Sequence, residues 1–574
     1  MRISSKGIRP GGSAIHFQYQ GQQVEALTSD TVASALINAD IRSCRETTMG
    51  DTRGVFCGMG VCNECAVQVD GVNGKLACKT PVQENMKVDV QPAAPALVSD
   101  LTIELPEYEI SPDVLVIGGG PAGLYAALTA AAGGLEVILV DERAKLGGQY
   151  FKQPAEEFAL VEKELDTQYR TGRELIARVL ASKVRVLNEV KVWGAFGPRH
   201  ILASSPTSRW VFRPKRLIIA TGAYERGVPM PGWTLPGVMT TGAAQTLLRS
   251  NQVSPGSRVL VSGNGPLNLQ LAAELARAGV TVVALAELAS VSGRSVPKPG
   301  LQMATSAPKL VADGLGYIAT LAKHRVPFLR GSAVIRCDGV GKLTQVTVAV
   351  IDSSGNALEG TEKVFEVDSV CVGFGFLPAN EISRSLNCSH YFDSARGALA
   401  VDQDESGRTS IPEIWVIGDS ACVNGAKVAQ SRGVLAGVAV LGDLGLSLSE
   451  TLKRRNKAAT RVLHRHLRFQ NALSRVYQAP ILEEQLADAN TIICRCESLS
   501  LSQVQIPLTE SLHTAGALKR LTRAGMGKCQ GRYCGPILTS MIAKVSNAPI
   551  GEFAGFISQV PYQPTDIDII AEPA

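Results

Sequence analysis

Hydrophobic residues in this chain fall into short continuous runs that glycine-rich turns separate. DVLVIG (113–118) predicts a strand buried on both faces, LYAALTAAAGG (124–134) predicts the helix after it, and LEVILVDE (135–142) predicts a second strand. RLIIATGAYE (216–225) and IPEIWVIGDSA (411–421) read as further buried strands that end in glycine. Strands and helices in this alternation predict an α/β core built on parallel sheets.

The first of these strands leads into Gly118, Gly120 and Gly123. The first glycine allows a tight turn, the second lets a pyrophosphate approach the helix N-terminus, and the third lets helix and strand pack closely. Glu142 ends the next strand and is placed to accept hydrogen bonds from ribose hydroxyls. A strand, glycines, helix, strand and acid in this register predict a dinucleotide site.

A second fingerprint lies in RVLVSGNGPLNLQLAAELARAGVTVVALAE (258–287). Gly263 and Gly265 are in place, but Asn268 occupies the third position, where a side chain would separate helix from strand or enter the nucleotide site. Glu287 closes the strand and would repel a 2′-phosphate, which argues against NADP. The pattern predicts a second Rossmann-like domain, and NAD, another adenine nucleotide and no ligand all remain open.

Length and charge narrow the class of protein. The chain has 574 residues, which predicts several domains, and its formal net charge of +5 with 5% aromatic residues argues against nucleic-acid binding. One uncharged stretch, 114–135, is long enough to raise the question of a membrane span, but its glycine turn explains it better. Because the N-terminal residues lack the apolar core of a secretory signal, we expect a cytoplasmic protein without a membrane span.

Eight of the 13 cysteines form two groups, one near each end of the chain. The N-terminal group has the spacing C-x4-C-x2-C followed by a fourth cysteine after twelve residues, and its members are Cys57, Cys62, Cys65 and Cys78. Glycines in this loop let the backbone turn close to the sulfurs. The spacing is that of a plant-type ferredoxin loop and predicts a 2Fe–2S cluster, with structural zinc as the alternative.

The C-terminal group has the spacing C-x-C, then 32 residues, then C-x4-C, and its members are Cys494, Cys496, Cys529 and Cys534. A C-x-C pair cannot chelate from a regular helix, so it must lie on a loop, and spacing alone leaves four-thiolate zinc open. The segments IICRCESLSL and AGMGKCQGRYCGP resemble the bacterioferritin-associated-ferredoxin-like domain, and that resemblance implies a second 2Fe–2S cluster between short helices.

The other five cysteines, Cys44, Cys337, Cys371, Cys388 and Cys422, are scattered and suggest no chemistry. Gln149-Tyr150-Phe151 follows Leu146-Gly147-Gly148, where disulfide reductases of this fold carry a redox-active cysteine pair. The second nucleotide segment also has no C-x-x-C pair. We therefore exclude thiol–disulfide exchange and name no catalytic base.

Three longer segments are more specific than any fingerprint: LGGQYFKQP, ATGAYERGVPMPGWTLPGVMTTGAAQTLL and VDSVCVGFGFLPANEISRSLNC. They resemble the FAD-containing alpha subunits of hydrogen cyanide synthase, opine oxidase and D-hydroxyproline dehydrogenase, with sarcosine oxidase alpha as a more distant relative. The resemblance implies FAD, held by residues that include Gly148, Gln149, Thr221, Gly222, Gly418 and Asp419. It implies a two-dinucleotide-domain α/β flavoprotein core, with a small ferredoxin subunit fused at its N-terminus.

The same resemblance implies a division of labour. A separate beta subunit, similar to D-amino-acid oxidase, would oxidise an amine, while this chain would pass the electrons through FAD and two 2Fe–2S clusters to an acceptor. Whether a second flavin, FMN, lies at a subunit interface stays open. The alternatives are a self-contained NADH-dependent reductase, which needs a working second fingerprint, and an iron–sulfur carrier, which would need no flavin.

The expected domain order starts with an α+β ferredoxin-like domain and ends with a small helical cluster domain. Segment 453–469 is basic with apolar residues on one side, and we interpret it as a linker helix rather than a docking face for an acidic partner. The expected boundaries are 1–95 (ferredoxin-like), 96–112 (join), 113–250 and 366–445 (FAD-binding), 251–365 (second nucleotide domain), 446–490 (helical linker), 491–550 (C-terminal cluster domain) and 551–574 (tail).

Overall fold

The computed structural model describes residues 1–94, 105–291, 297–509 and 514–570. Residues 96–104 of the predicted join and residues 571–574 of the predicted tail lie outside this range. Among the described residues, no helix is both long enough and apolar enough to cross a membrane.

The first domain is an α+β unit. Its elements are β1 (Ile8–Arg9), β2 (Ala14–Tyr19), β3 (Gln22–Leu27), α1 (Val32–Asn38), β4 (Arg45–Glu46), β5 (Thr52–Arg53), β6 (Ala66–Val69), β7 (Val72–Leu76) and β8 (Lys87–Val90). Alternate residues of β2 are buried, namely Ile15, Phe17 and Tyr19, which is the period of a half-buried strand. A mixed sheet in the order β3–β2–β8–β6–β7 results.

The middle of the chain contributes two further sets of elements. Before residue 252 these are β9 (Glu107–Ile110), β10 (Val114–Ile117), α2 (Pro121–Ala132), β11 (Val137–Val140), β12 (Ala159–Leu160), α3 (Thr167–Leu180), β13 (Arg185–Leu187), β14 (Lys191–Gly197), β15 (His200–Ser205), β16 (Ser208–Phe212), β17 (Arg216–Ile219), β18 (Ala223–Glu225), β19 (Val238–Thr240) and α4 (Thr241–Thr246), which a π-helix (Leu247–Asn251) continues. After it they are β20 (Arg258–Gly263), α5 (Pro266–Arg277), β21 (Thr281–Glu287), α6 (Pro297–Ser306), α7 (Pro308–Lys323), β22 (Phe328–Arg330), β23 (Ser332–Asp338), β24 (Gln345–Val350), β25 (Lys363–Glu366), β26 (Ser369–Gly373) and β27 (Phe376–Pro378).

The last third returns to the first sheet and then leaves it. Its elements are α8 (Glu381–Ser385), β28 (His390–Asp393), β29 (Ala398–Val401), β30 (Ile414–Val416), a 3-10 turn (Gly418–Ser420), α9 (Ala426–Asp443), α10 (Glu450–Val476), β31 (Ile492–Cys494), β32 (Leu499–Ser500), α11 (Leu501–Thr509), α12 (Ala515–Thr522), α13 (Gly535–Ser546) and α14 (Ile567–Ile570).

Two parallel five-stranded sheets form the core. The first has the order β13–β11–β10–β17–β30 and the second β19–β26–β20–β21–β22. All residues of β10 and β11 are buried, and α2 packs closely on α9, which explains the continuous apolar runs of these strands. This confirms the predicted α/β core with two Rossmann-like domains.

The second sheet takes strands from both sides of the segment predicted for it. Strands β19 and β26, which flank β20 in sequence, lie beside each other, and β26 lies beside β20. The chain therefore leaves the first sheet after β17, crosses through the antiparallel pair β18–β27, and returns at β30. Within the predicted join, β9 pairs in parallel with β16 and forms the edge of a four-stranded sheet whose other strands, β14, β15 and β16, are antiparallel.

The first domain packs directly against the core of the protein. One hydrophobic cluster runs from its sheet through α4 into α5, and β1 pairs with β12 of the flavin-type domain. The basic segment 453–469 lies within α10, whose buried face packs on α9 and α6. Tyr477 caps the C-terminal end of α10 and lies beside the second dinucleotide loop.

Candidate functional site: a dinucleotide crevice and two cysteine groups

The carboxyl ends of the strands in the first sheet form a crevice around the first glycine loop. Gly118 has a φ of +107°, and a Cβ there would lie 2.4 Å from the Ala220 carbonyl oxygen. A Cβ at Gly123 would lie 1.9 Å from the carbonyl oxygen of Gly118, so helix and strand touch at this point. Gly118 and Gly123 are thus glycines because the backbone packing leaves no room for a side chain.

Gly120 differs because it faces open space. It is the N-cap of α2, no side chain caps that helix, and the only atom within 4 Å of a Cβ built there is the Cα of Gly148. The structure therefore brings Gly148 from the predicted LGGQ motif against Gly120. Free N–H groups at the start of α2 beside an open backbone form a cradle that fits the pyrophosphate of a dinucleotide. The buried Nε2 of Gln149 next to Gly148 also has no hydrogen-bond partner.

The acid that contacts this loop is Asp141. Its carboxylate accepts the Gly119 N–H at 2.6 Å and the Arg143 N–H at 2.8 Å, and burial raises its pKa. Glu142 instead lies 3.1 Å from Lys79 of the first domain and accepts a hydrogen bond from Gln563. Sequence reasoning missed Asp141 because two acids follow β11 and the strand pattern does not show which one faces the loop.

The remaining predicted flavin residues lie at two neighbouring strand ends. Thr221 donates its hydroxyl to the Ala379 carbonyl at 2.7 Å, and Gly222 accepts the Ala379 N–H, so this turn is bonded to the end of the β18–β27 crossover. Gly418 has a φ of +72° and lies against Ala122 at the start of α2. Asp419 is turned toward the next segment, since its carboxylate accepts the backbone N–H groups of Asn424 and Gly425.

The second glycine loop repeats the design of the first and then departs from it. Glu287 accepts the Gly265 N–H at 3.2 Å and the Ala289 N–H at 3.4 Å, the same two kinds of donor that Asp141 uses. Burial raises the pKa of Glu287 to about 8. Asn268 is fully buried, and its amide joins Thr241 at 2.7 Å to the carbonyl oxygen of Gly373 at 2.8 Å.

Asn268 therefore braces α5 against α4 and β26 instead of entering the nucleotide site. The end of α10 lies over the loop as well, because the Asn264 amide donates to the Tyr477 carbonyl at 3.0 Å. Gly265, with a φ of +119°, has open space around it. The second loop keeps the backbone of a dinucleotide site, but Asn268 bonds its helix to α4 and β26, and Tyr477 lies over Asn264.

A buried polar group between the first cysteine loop and the flavin-type domain was not predicted. The Glu225 carboxylate accepts the Gly242 N–H at 2.9 Å, and burial raises its pKa to about 7. Lys152, from the LGGQYFKQP segment, donates to Gln245 at 3.0 Å, and burial lowers its pKa to about 7. A lysine inside an otherwise apolar and glycine-rich motif is the one sequence signal that could have drawn attention to this group.

The N-terminal cysteines surround one short loop. Cys57, Cys62 and Cys65 lie between β5 and β6, and Cys78 follows β7. The thiols meet in pairs, Cys57 with Cys62 and Cys65 with Cys78. The loop docks on α4, since a Cβ at Gly58 would lie 2.8 Å from the Cα of Ala243. Burial raises the pKa of Cys57, but hydrogen bonds from Cys62 and from backbone N–H groups outweigh it and lower that pKa to about 6.

The C-terminal cysteines come together from two distant turns. Cys494 and Cys496 lie around the β31–β32 hairpin, and Cys529 and Cys534 precede α13. Cys494 meets Cys534, and Cys496 meets Cys529. Backbone N–H groups of Gly531 and Tyr533 donate to Cys529.

Both groups therefore present their thiols two by two. Across the described ranges, three or more His, Cys, Asp or Glu side chains are nowhere arranged around a single metal-ion position. A two-iron cluster takes two thiolates at each iron, so pairs of thiols with N–H donors to sulfur fit such a cluster. All 13 cysteines are free thiols.

Comparison with known proteins identifies the two larger parts of this arrangement. The model of the 2Fe-2S iron-sulfur cluster binding domain matches residues 12–93. The model of the pyridine nucleotide-disulphide oxidoreductase family matches residues 112–440, more than half of the chain. The chain belongs to this family. Within this pyridine nucleotide-disulphide oxidoreductase, no two cysteines of residues 112–440 are spaced as a C-x-x-C pair.

Two relatives show which members of this family the chain resembles. Hydrogen cyanide synthase subunit HcnB of Pseudomonas aeruginosa is 32% identical over 73% of this chain and 90% of its own length. An opine oxidase subunit of Rhizobium meliloti is 30% identical over 80% of this chain and 98% of its own length. The predicted relationship to hydrogen cyanide synthase and opine oxidase is confirmed, and the chain is an oxidoreductase with an FAD-type domain and a 2Fe–2S domain.

A solved structure shares the whole fold. The crystal structure of L-proline dehydrogenase from P. horikoshii covers 100% of both chains with a TM-score of 0.72 at 20% identity. At this identity the likeness concerns the fold alone. Both relatives above are named as single subunits of larger enzymes, which agrees with the expected hetero-oligomer.

Proposed function

We propose that this chain is the electron-transfer subunit of a multi-subunit amine dehydrogenase or oxidase. A partner similar to D-amino-acid oxidase would oxidise an amino acid, opine or hydroxyproline-type amine, and this chain would carry the electrons to an acceptor. FAD supplies the exchange between two-electron and one-electron chemistry, and 2Fe–2S clusters supply one-electron transfer. The subunit names of the two relatives support this proposal.

The observation that carries the proposal is the contrast between the two glycine loops. In the first loop the half-buried Gly120 lies beside Gly148 and the unpartnered Gln149 amide, whereas in the second loop Gly265 is buried, Asn268 braces the helix and Asn264 is bonded to Tyr477. If this chain binds FAD but takes no electrons from NADH, another donor must reduce the flavin, and the subunit names of the relatives favour a partner protein as that donor. We therefore favour the partner-fed subunit over a self-contained NADH reductase.

In this proposal, specific residues hold each cofactor. The first loop would bind the FAD pyrophosphate at Gly120 and Gly148, with Asp141 as the ribose acceptor in place of Glu142, and Thr221 and Asp419 would lie along the cofactor. The N-terminal cysteines would bind one 2Fe–2S cluster, and the C-terminal cysteines would bind a second. FMN, if the assembly contains it, would lie at the interface with the partner.

Serine substitutions at the cysteines test this assignment. In Cys57→Ser and Cys529→Ser, iron and acid-labile sulfide should each fall by about half while FAD stays bound, because each variant removes a ligand from one of two independent cysteine groups. Cys337→Ser is the matched control, since Cys337 is buried but belongs to neither group. After photochemical reduction of the flavin, both cluster variants should pass electrons to cytochrome c more slowly than the control. Unchanged iron content and unchanged transfer in both variants would refute the proposal.

A further inference from the structure

A buried group of charges lies between the two cysteine groups. The Glu64 carboxylate contacts three guanidinium groups, Arg45 at 3.0 Å, Arg495 at 3.5 Å and Arg53 at 3.7 Å. The side chains of Glu64, Arg53 and Arg495 are between 1% and 3% exposed, and that of Arg45 is 10% exposed. We call these four residues the arginine bridge.

The arginine bridge joins two segments that are far apart in sequence. Glu64 lies between Cys62 and Cys65 of the N-terminal group, and Arg495 lies between Cys494 and Cys496 of the C-terminal group. Burial opposes the charge of Arg45, but attraction to Glu64, and after it to Cys496 and Cys62, raises the pKa of Arg45. The arginine bridge therefore interacts electrostatically with cysteines of both groups.

Packing fixes this arrangement. Arg495 stacks on the Phe56 ring at 3.9 Å and on the Trp233 ring at 4.6 Å, and its guanidinium donates to the Trp233 carbonyl at 2.8 Å. Phe56 meets Tyr533 edge to face, with ring centroids 5.3 Å apart. Because Phe56 precedes Cys57 and Tyr533 precedes Cys534, the two cysteine loops touch through their own neighbours. The amide of Asn63 adds a hydrogen bond to the Lys528 carbonyl at 3.3 Å.

The charges of the arginine bridge do not balance. Three cationic side chains face one buried carboxylate, and the only other acid paired with them in the described residues is Asp51, whose side chain is 55% exposed. The Nε atoms of Arg45, Arg53 and Arg495 are buried without a hydrogen bond. A buried cation excess is costly unless anions lie nearby. Four-thiolate iron–sulfur clusters are anionic and become more so on reduction, so one on each side would supply that charge.

We propose that the arginine bridge is a shared counter-charge that makes the two cysteine groups one bipartite redox site, with Arg495 as a positioning residue for both. This inference rests on the proposed function for the presence of both clusters, and it adds that they are held and tuned together. In this arrangement, a charge removed from the bridge changes both clusters, although Arg495 belongs to the C-terminal segment alone.

Potentiometric titration of the full-length chain, followed by electron paramagnetic resonance, tests this inference. The Cys57→Ser and Cys529→Ser variants assign each signal to its group. Arg495→Gln removes a buried positive charge that favours the reduced clusters, so both reduction equilibria should become less favourable by about tenfold. Arg495→Lys keeps the charge and should recover most of this loss. Arg523→Gln is the matched control, because Arg523 pairs with Glu497 beside Cys496 but its side chain is 67% exposed.

The outcomes separate this inference from the proposed function. If reduction becomes less favourable for both clusters in Arg495→Gln and changes little in Arg523→Gln, the shared counter-charge is supported. A change confined to the C-terminal signal, or no change, overturns it while leaving the proposed function intact. A wild-type chain with only one cluster signal would refute the proposed function and this inference together. If Arg495→Gln does not fold, Glu64→Gln gives the same test with the opposite sign, since it should make both reductions more favourable.

Discussion

The two glycine loops share one backbone design but differ in what surrounds them. In each unit the acid at the end of the second strand, Asp141 or Glu287, accepts one N–H from the loop and one from the residue two positions further on. In the first loop the third glycine lets helix and strand touch. In the second, Asn268 takes that position and bonds to β26, and the end of α10 lies over the loop.

The difference shows that a fingerprint specifies a local fold more firmly than a ligand. The second loop keeps a Rossmann-like turn because its helix is tied to the sheet by side-chain hydrogen bonds instead of close backbone contact. What lies in front of the loop then decides whether a nucleotide can bind. A Cβ would have room at Gly120 and at Gly265 alike, but Gly120 is half-buried, whereas Gly265 is buried and the neighbouring Asn264 is bonded to Tyr477.

The largest expected effect comes from closing the first cradle. Gly120 has a φ of −80° and no close neighbours on its open side, so Gly120→Leu should fold but occupy the pyrophosphate position. We expect the FAD content to fall by more than about tenfold, measured from the absorbance of the purified protein. Gly442→Leu, on the open side of α9, should keep its FAD. Full FAD content in Gly120→Leu would contradict the assignment of the cradle.

The next effect distinguishes the two acids after β11. Asp141→Ala removes a buried carboxylate that contacts the loop, so the Kd for FAD should rise by about tenfold or more. Glu142→Ala removes a partly exposed ion pair with Lys79 and should change the Kd by less than about threefold. Fluorescence of released FAD on dilution measures both. A larger effect for Glu142→Ala would restore Glu142 as the ribose acceptor.

Removing the brace of the second loop should cost stability but not flavin. Asn268→Ala leaves the buried carbonyl of Gly373 and the hydroxyl of Thr241 without their partner, which should lower the free energy of unfolding by about 2 kcal/mol. Gln270→Ala, on the half-buried side of the same helix, should cost less than about 0.5 kcal/mol. Thermal unfolding followed by circular dichroism compares them. Equal midpoints for the two variants would show that Asn268 braces nothing.

The smallest effect is a pH dependence that belongs to the second loop. Burial raises the pKa of Glu287 to about 8 from an ordinary value of 4.5, so the folded protein keeps this proton when the unfolded chain has lost it. Stability from this group is complete below the ordinary pKa and is lost as the pH rises through the raised one. When the pH rises from about 5 to about 9, the free energy of unfolding of Glu287→Gln should increase by about 1 kcal/mol or more relative to that of the wild type. A difference that is the same at both pH values would refute this titration.

Much of this architecture follows from local sequence signals. The buried runs and glycines of residues 113–142 predict β10, α2 and β11 because one strand, turn and helix carry all the required residues. Both cysteine groups are visible for the same reason. Arg495 and Tyr477 are not visible, since each acquires its importance from residues far away in sequence or from another domain, whereas Lys152 stands out only as a lysine in a glycine-rich motif. The choice between Asp141 and Glu142 depends on which one β11 turns toward the loop.

We propose above all that this chain binds FAD and iron–sulfur clusters and receives its electrons from a partner protein rather than from NADH. An anaerobic visible-absorption titration of the purified chain with NADH, followed by dithionite, tests it most directly. The starting spectrum should show flavin and iron–sulfur absorption, which NADH should leave unchanged and dithionite should bleach. A colourless protein, or flavin that NADH bleaches within seconds, would contradict it.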